Sequence, residues 1–270
     1  MTSQATITRE RSQEGVGWKR RIGFYVAGGL FLLVSLAFFG LMAGILAHLF
    51  TGWFSAAELG VHQLHETLGS ALFWSLIAGM AFTVVRPAQM ISALRQTLFM
   101  LAAFLLLLLA SFSESLMGPL VMMSILFVLT AVTAVLHPTR HALLRVREGF
   151  NPGLLALTII AAIPLLPYAL NQLQIQIGAS PGDPHAEVGH WMIMSAYGVA
   201  IVLYGLLASL RSSGWRVPAW SAGILAVLFG LASLLLPTQA SAVGPTWGTV
   251  AVAWGVLFVA AAEWTAVARR

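Results

Sequence analysis

Long apolar runs, each broken by a few polar or turn-forming residues, recur along the whole chain. They fall at about 22–49, 61–85, 93–112, 118–136, 153–172, 186–209, 218–237 and 246–267. Each is close to the roughly 20 residues that cross a bilayer as a helix. The breaks carry turn chemistry: Arg86-Pro87, Gly118-Pro119, His137-Pro138, Asn151-Pro152, Pro181-Gly182-Asp183-Pro184, Arg216-Val217-Pro218 and Gly244-Pro245. The pattern predicts an all-α integral membrane protein, a bundle of eight transmembrane helices. Asp183 followed by Pro184 is the start signal for the sixth, a capping carboxylate before a proline in the first turn. Residues 1–21 are polar and mixed in charge, with no apolar run and no small-residue cleavage site, and read as an N-terminal tail, not a signal peptide.

Composition agrees. Hydrophobic residues make up 59% of the 270 and charged residues 9%, with a mean hydropathy of +0.88, whereas a soluble domain carries roughly 25% charged residues. The absence of cysteine excludes disulfides, iron–sulfur clusters and thiolate metal sites. A pI near 10.4 would point to nucleic acid in a soluble protein. Here threading explains it, and no nucleic-acid partner is expected. Eight crossings place Arg9, Arg11, Lys19, Arg20, Arg21, Arg86, Arg95, Arg140, Arg145, Arg147, Arg211, Arg216, Arg269 and Arg270 on one side, which is all 14 basic residues. The positive-inside rule makes that side cytoplasmic, with both termini there and the chain in the inner (plasma) membrane. Glu263, a turn before the basic C-terminus, is expected to meet an arginine at that interface. Trp18, Trp215, Trp220 and Trp264 near the inner boundary, and Trp53, Trp191 and Trp247 near the outer, read as interfacial anchors. Trp74 and Trp254 lie deeper, as packing residues.

A faint repeat divides the chain in two. Arg9–Gly15 before the first span echoes Arg145–Gly149 before the fifth, and Leu64-His65 at the head of the second span matches Gly189-His190 at the head of the sixth. The expected organisation is a cytoplasmic tail (1–21), a four-helix half (22–136), a cytoplasmic basic linker (137–152) and a second half (153–270), related by a pseudo-twofold along the membrane normal.

The other face holds the candidate chemistry. His48, His62, His65, His185 and His190 fall there, as do Glu58, Glu66, Glu114, Asp183 and Glu187, and no lysine or arginine accompanies them. Carboxylates without basic partners must be solvated, protonated, hydrogen-bonded or paired with a cation. A solvated rim suits Glu58, Glu114 and Asp183, whereas Glu66 and Glu187 each sit within a turn of a histidine. In the stretch His62–Gly69, helical spacing puts His62, His65, Glu66 and Gly69 on one face. If the second and sixth helices face each other, His65 and His190 point into one cavity as axial ligands of a haem b, with Gly69 leaving room for the ring. His62, Glu66 and Glu187 would then support them. The same set, His62, His65, Glu66, Glu187 and His190, alternatively supplies nitrogen and oxygen ligands for a bare zinc or copper ion. Met117, Met122, Met123, Met192 and Met194 lie toward the same ends and would favour copper, although methionine is more often packing. The start of a zincin motif at His65-Glu66 fails at Gly69, where the second histidine should stand.

Other motifs carry less. His137-Pro138-Thr139-Arg140-His141 has the spacing of a desaturase histidine box but lies on the opposite face from the other histidines, and reads as a basic interfacial loop. The membrane interior shows no proton relay or ion path in its ionisable residues. Pro164, Pro167, Asn171, Gln172 and Gln174 make the fifth helix the candidate for a break, with a plain kink the simpler outcome. Gly40–Gly44 has small-xxx-small spacing for packing or dimer contact, and Gly244–Gly248 has the same spacing but falls mostly in a loop.

The four-plus-four plan with paired histidines near the outer face resembles the general layout of haem A synthase. That resemblance implies four histidines from two bundles holding two haems. The outer ends of the fourth and eighth helices here carry Met122, Met123 and Trp247 instead, a departure from that pattern. The functional expectation is a membrane protein binding haem b or another metal cofactor at its outer face, for electron transfer or haem-dependent redox or isomerase chemistry. The bilayer and a quinone or redox protein would be its partners, and an oligomer is left open. Metal-ion binding or transport, and a cofactor-free structural subunit, are the alternatives.

Overall fold

A computed structural model describes residues 2–41, 62–143 and 149–267, with only the backbone described for 2–16 and 39–41. His48, Trp53, Glu58, Gly44, Arg145, Arg147, Arg269 and Arg270, with the end of the first predicted span, lie outside the described residues. The described chain is helical without strands. Its elements are α1 (Thr2–Leu41), α2 (Gln63–Val85), α3 (Ile91–Ala110), α4 (Met117–Leu136), α5 (Pro152–Gly178), the short α6 (Pro184–Glu187), α7 (His190–Ser209), α8 (Arg216–Leu235) and α9 (Gly244–Val267). Eight stretches within them are long and apolar enough to cross a membrane. The protein is a multi-pass membrane protein.

Three boundaries differ from the sequence reading. The polar segment expected as a tail is helical from Thr2 and continuous with the first span. The Gly244–Gly248 stretch is the start of α9, not a loop. The sixth span starts twice. Asp183 does cap, accepting from the backbone N–H groups of His185 and Ala186 at 2.8 and 3.1 Å, but that helix stops after Glu187. Gly189 follows in the left-handed region at φ 75°, with Leu116 Cδ2 only 2.9 Å from where a Cβ would be. Only glycine suits that turn, and α7 starts afresh at His190.

The helices form a central and an outer set. α2, α3, α7 and α8 pack on one another across the middle, α2 and α3 each against both α7 and α8. α1 and α4 flank one side of this core, and α5 and α9 the other. The apolar stretch of α7 is 78% buried and that of α2 61%, against 17% for α9. Polar side chains join the central helices: Gln96 Nε2 donates to the Ser75 carbonyl and to Ser221 Oγ, and Ser75 Oγ lies 3.0 Å from Tyr204 Oη. In lipid, where apolar burial gives helices little reason to associate, such bonds and close backbone contact do the joining.

Close contact is most evident between α8 and α9. Gly223 and Gly230 lie seven residues apart on α8, as do Gly248 and Gly255 on α9. A Cβ at Gly255 would stand 2.5 Å from the Gly223 carbonyl, and one at Gly230 would press on the Gly248 carbonyl and stand 2.8 Å from Val252 N. The two antiparallel helices therefore approach backbone to backbone at these glycines, with Val227, Leu234, Val252 and Val259 packed over them.

The two ends of the bundle differ in chemistry. At one end Arg95, 3% exposed, donates to the carbonyls of Ala142 and Leu143 and to Ser212 Oγ. Arg20 bonds the carbonyls of Leu136 and His137, and Arg211 bonds Thr265 and stacks on Trp215. Arg216 pairs with Glu263 at 2.6 Å, as expected from sequence. His62, His65, His185 and His190 all lie at the other end.

The desaturase-like spacing at the arginine end serves structure. His137 ends α4 with its ring fully buried, and its Nδ1 accepts from Thr139 N at 3.2 Å. Burial, and then the neighbouring Arg20, push its pKa down to about 4, partly opposed by the Pro87 carbonyl. The unfolded chain, with an ordinary value near 6.5, binds the proton first as pH falls. The contribution of His137 to stability should therefore be constant above about pH 6.5 and be lost as pH falls toward 4, by at most about 3 kcal/mol. His137→Asn, whose Oδ1 can replace Nδ1 as acceptor, should make the protein's acid loss of stability smaller than in the wild type, as measured by thermal unfolding in detergent at pH 4.5 and 7.

Candidate functional site

The histidine end brings four imidazoles from three segments together. His62 stands at the N-cap of α2, His65 a turn inside it, His185 on α6 and His190 at the first position of α7. Ring centroids are 4.6 Å apart for His62 and His185, 4.8 Å for His62 and His190, 4.9 Å for His65 and His185, and 5.0 Å for His65 and His190. Trp191 closes one wall, 5.5 Å from His65 and 4.9 Å from His185. His65 is fully buried and His190 5% exposed. Burial first, then the imidazoles of His190 and His185, lower the pKa of His62 against the opposing pull of Glu66, so its neutral form is favoured.

Hydrogen bonds fix which ring nitrogens face inward. Ser241 Oγ donates to Gln172 Oε1 at 2.8 Å, which commits its one proton. The 3.0 Å contact between Ser241 Oγ and His65 Nε2 therefore needs the imidazole as donor. In its neutral form His65 then carries its proton on Nε2 and a bare lone pair on Nδ1, and that Nδ1 is buried with no hydrogen-bond partner. Likewise Glu66 Oε1 lies 3.3 Å from His190 Nε2. An ionised carboxylate only accepts, so His190 donates from Nε2, and its bare Nδ1 accepts from the Nδ1–H of His62, 3.0 Å away, a proton that a bound ion would displace. Ser241 itself sits in the left-handed region at φ 69°. Non-glycine residues held there are sparse and concentrate at functional sites.

Four of the six residues expected from sequence meet here: His62, His65, Glu66 and His190. Glu187 does not join them. The Gly189 turn separates it from α7, and it is exposed on a surface hollow with Glu114 and Gln176. Gly69 packs against Ile193, whose Cγ2 lies 3.2 Å from where a Cβ would be, so it forms a helix contact between α2 and α7. The turn that expels Glu187 admits His185, whose Nδ1 lies 3.8 Å from Asp183 Oδ1. Ser241, Gln172 and Trp191 were absent from the expected set. Met192 and Met194 are buried in the core and Met117 is exposed at 49%.

The fit to each expected cofactor follows from this geometry. Two imidazoles sharing a haem iron stand on opposite faces of the macrocycle, each nitrogen about 2 Å from the metal. His65 and His190 instead lie face to face, within 2° of parallel at 5.0 Å, with Ile193 occupying the space at Gly69. A haem held between them does not fit this arrangement. A bare ion suits it better. Two nitrogens on one tetrahedral ion, each at about 2.0–2.1 Å, are about 3.4 Å apart, close to the 3.0 Å of the His62–His190 pair. Among the described residues no group of three histidine, aspartate or glutamate side chains is placed to hold a metal ion as it stands, so an ion would have to draw the His65 or His185 ring toward that pair. Glu66 and Ser241, bonded to the remote nitrogens of His190 and His65, occupy the supporting positions that hold ligand imidazoles in register.

Comparison with known protein families, with characterised proteins and with solved structures gives no match.

Proposed function

We propose that this multi-pass membrane protein binds a zinc or copper ion at the extracytoplasmic end of its bundle. His62, His65 and His190 are the ligands, His185 is available as a fourth, and Glu66 and Ser241 orient the rings. The observation that carries the reading is the set of inward Nδ1 atoms: the His62–His190 pair at 3.0 Å and the buried, unpaired Nδ1 of His65. Each of His65 and His190 is held from behind at Nε2 by an oxygen. Imidazole with carboxylate support is a donor set for borderline ions such as zinc and copper(II).

The orientation proposed is both termini cytoplasmic in the inner membrane, supported by arginines at the end opposite the histidines. A four-plus-four repeat is proposed with it. Its support is the parallel burial of the two halves: 28, 61, 50 and 28% along the first four spans and 22, 78, 56 and 17% along the second four. A twofold exchanging α2 with α7 and α3 with α8 also accounts for the α3–α7 and α2–α8 contacts as one interface repeated.

Protein expressed with zinc, copper and haem supplied, then purified in detergent, tests the site. Elemental analysis should find about one zinc or copper per chain, with no Soret band. A Soret band with no bound ion would replace the reading with the haem alternative. Neither signal would leave a cofactor-free subunit.

A further inference from the structure

A second site lies within the membrane-spanning part of the second half. A cleft of about 630 Å³ opens between α5, α7, α8 and α9, walled by Pro164, Pro167, Tyr168, Phe229, Trp247 and Trp254. The volume is within the roughly 300–1,000 Å³ of small-molecule sites, and aromatic faces on an apolar wall suit a flat ring with a hydrophobic tail.

On the α5 side, the hydrogen-bonding character of this wall leans to acceptors. Proline has no backbone N–H, so Pro164 and Pro167 withdraw the helical donors for the carbonyls of Ile160 and Ile163. Both isoleucines also line the cleft. In hydrocarbon an unsatisfied carbonyl costs several kcal/mol, so donors are wanted there. Of the three side-chain donors on the wall, the two beside these carbonyls are committed, and only Trp247 Nε1 on α9 is left. Tyr168 Oη donates to the Ser241 carbonyl at 3.0 Å and keeps only lone pairs for the cleft. Trp254 Nε1 donates to the Leu157 carbonyl at 2.9 Å. An apolar space edged by acceptors selects an apolar molecule that brings hydroxyl groups.

From this we infer that the cleft binds a membrane-soluble hydroquinone on an alkyl or isoprenoid tail, and prefers it to the oxidised quinone. The ring packs between Phe229 and Trp254, its hydroxyls donate to the carbonyls freed on α5, and its tail leaves toward lipid. The quinone has the same shape but only carbonyl oxygens, which would face the Ile160 and Ile163 carbonyls unpaired. The site stands apart from the metal reading, although Ser241 touches both: its carbonyl accepts from Tyr168 and its hydroxyl contacts His65.

Binding of a decyl-tailed benzohydroquinone and its quinone to the full chain in phosphatidylcholine nanodiscs tests this, with a photoreactive analogue mapped by mass spectrometry. The hydroquinone should bind about tenfold tighter than the quinone, the worth of one good hydrogen bond, and crosslink to α5 and α9. Ala251→Trp, filling the cleft from α9, should weaken both forms more than tenfold, with Ile160→Trp as the equivalent block from α5. Pro164→Ala returns an N–H to the helix and should narrow the preference to less than threefold. Stripping bound metal from the wild type with a chelator should leave all of this unchanged, so loss of the metal reading and loss of this one are separable. Equal affinity for the two forms in the wild type, crosslinks elsewhere, or undiminished binding in folded Ala251→Trp would overturn the inference.

Discussion

His190→Ala should lower metal affinity at least 100-fold while leaving the bundle assembled. His190 supplies one of the two nitrogens already at near-ligand spacing, and Glu66 holds its ring from the far side. Removing it deletes both a ligand and the device that aims it. The fold should tolerate the loss, since His190 is the first residue of α7, and only its contacts within the histidine end go with it. Glu66→Gln keeps the ligands and removes the carboxylate, an effect expected at about 10–100-fold from comparable supporting residues. Glu187→Gln, on the separate hollow, should change nothing. Competition against a chromophoric zinc chelator, with thermal unfolding in parallel, reads all three. If His190→Ala and Glu187→Gln bound equally, the assignment of ligands would be wrong.

Gly230→Leu is expected to have the largest effect on folding. The new Cβ would press on the Gly248 carbonyl and lie 2.8 Å from Val252 N, both backbone atoms that cannot rotate away. Overpacking a well-packed core costs about 1–3 kcal/mol. A clash against a neighbouring helix backbone should reach the top of that range or exceed it, lowering the melting temperature by about 10 °C. Gly29→Leu is the control, because nothing lies within 4 Å of a Cβ there. An unchanged melting temperature for Gly230→Leu would mean that α8 and α9 do not meet along this seam.

Much of the scaffold was legible because membrane helices announce themselves by length and apolarity. The eight spans and the Asp183 cap follow from local sequence, and the basic inner end was enough to expect an arginine for Glu263, though not which one. The misreadings are tertiary. Gly189 reads as an ordinary small residue until its left-handed turn is placed against Leu116, and that single turn exchanges Glu187 for His185 at the site. Gly244–Gly248 looks like a loop because glycine and proline usually mark one. Here Gly244 and Pro245 open α9, and Gly248 lets it lie against α8.

The site was half visible for the same reason. His62, His65 and Glu66 are neighbours in sequence and share a helix end, so spacing alone groups them. Ser241 lies 176 residues from His65 and Gln172 another 69 from Ser241, and no local pattern links a loop serine and a helix glutamine to a histidine. Yet those two residues decide which nitrogen of His65 is bare, and with it what the four imidazoles can hold.

X-ray absorption at the zinc edge, on the purified chain loaded with one equivalent of zinc, tests the metal assignment most directly. A first shell of three or four nitrogens at about 2.0 Å, with outer-ring scattering from imidazole that weakens in His65→Ala, is the predicted result. A shell of oxygens alone, or a spectrum identical in wild type and His65→Ala, would contradict it.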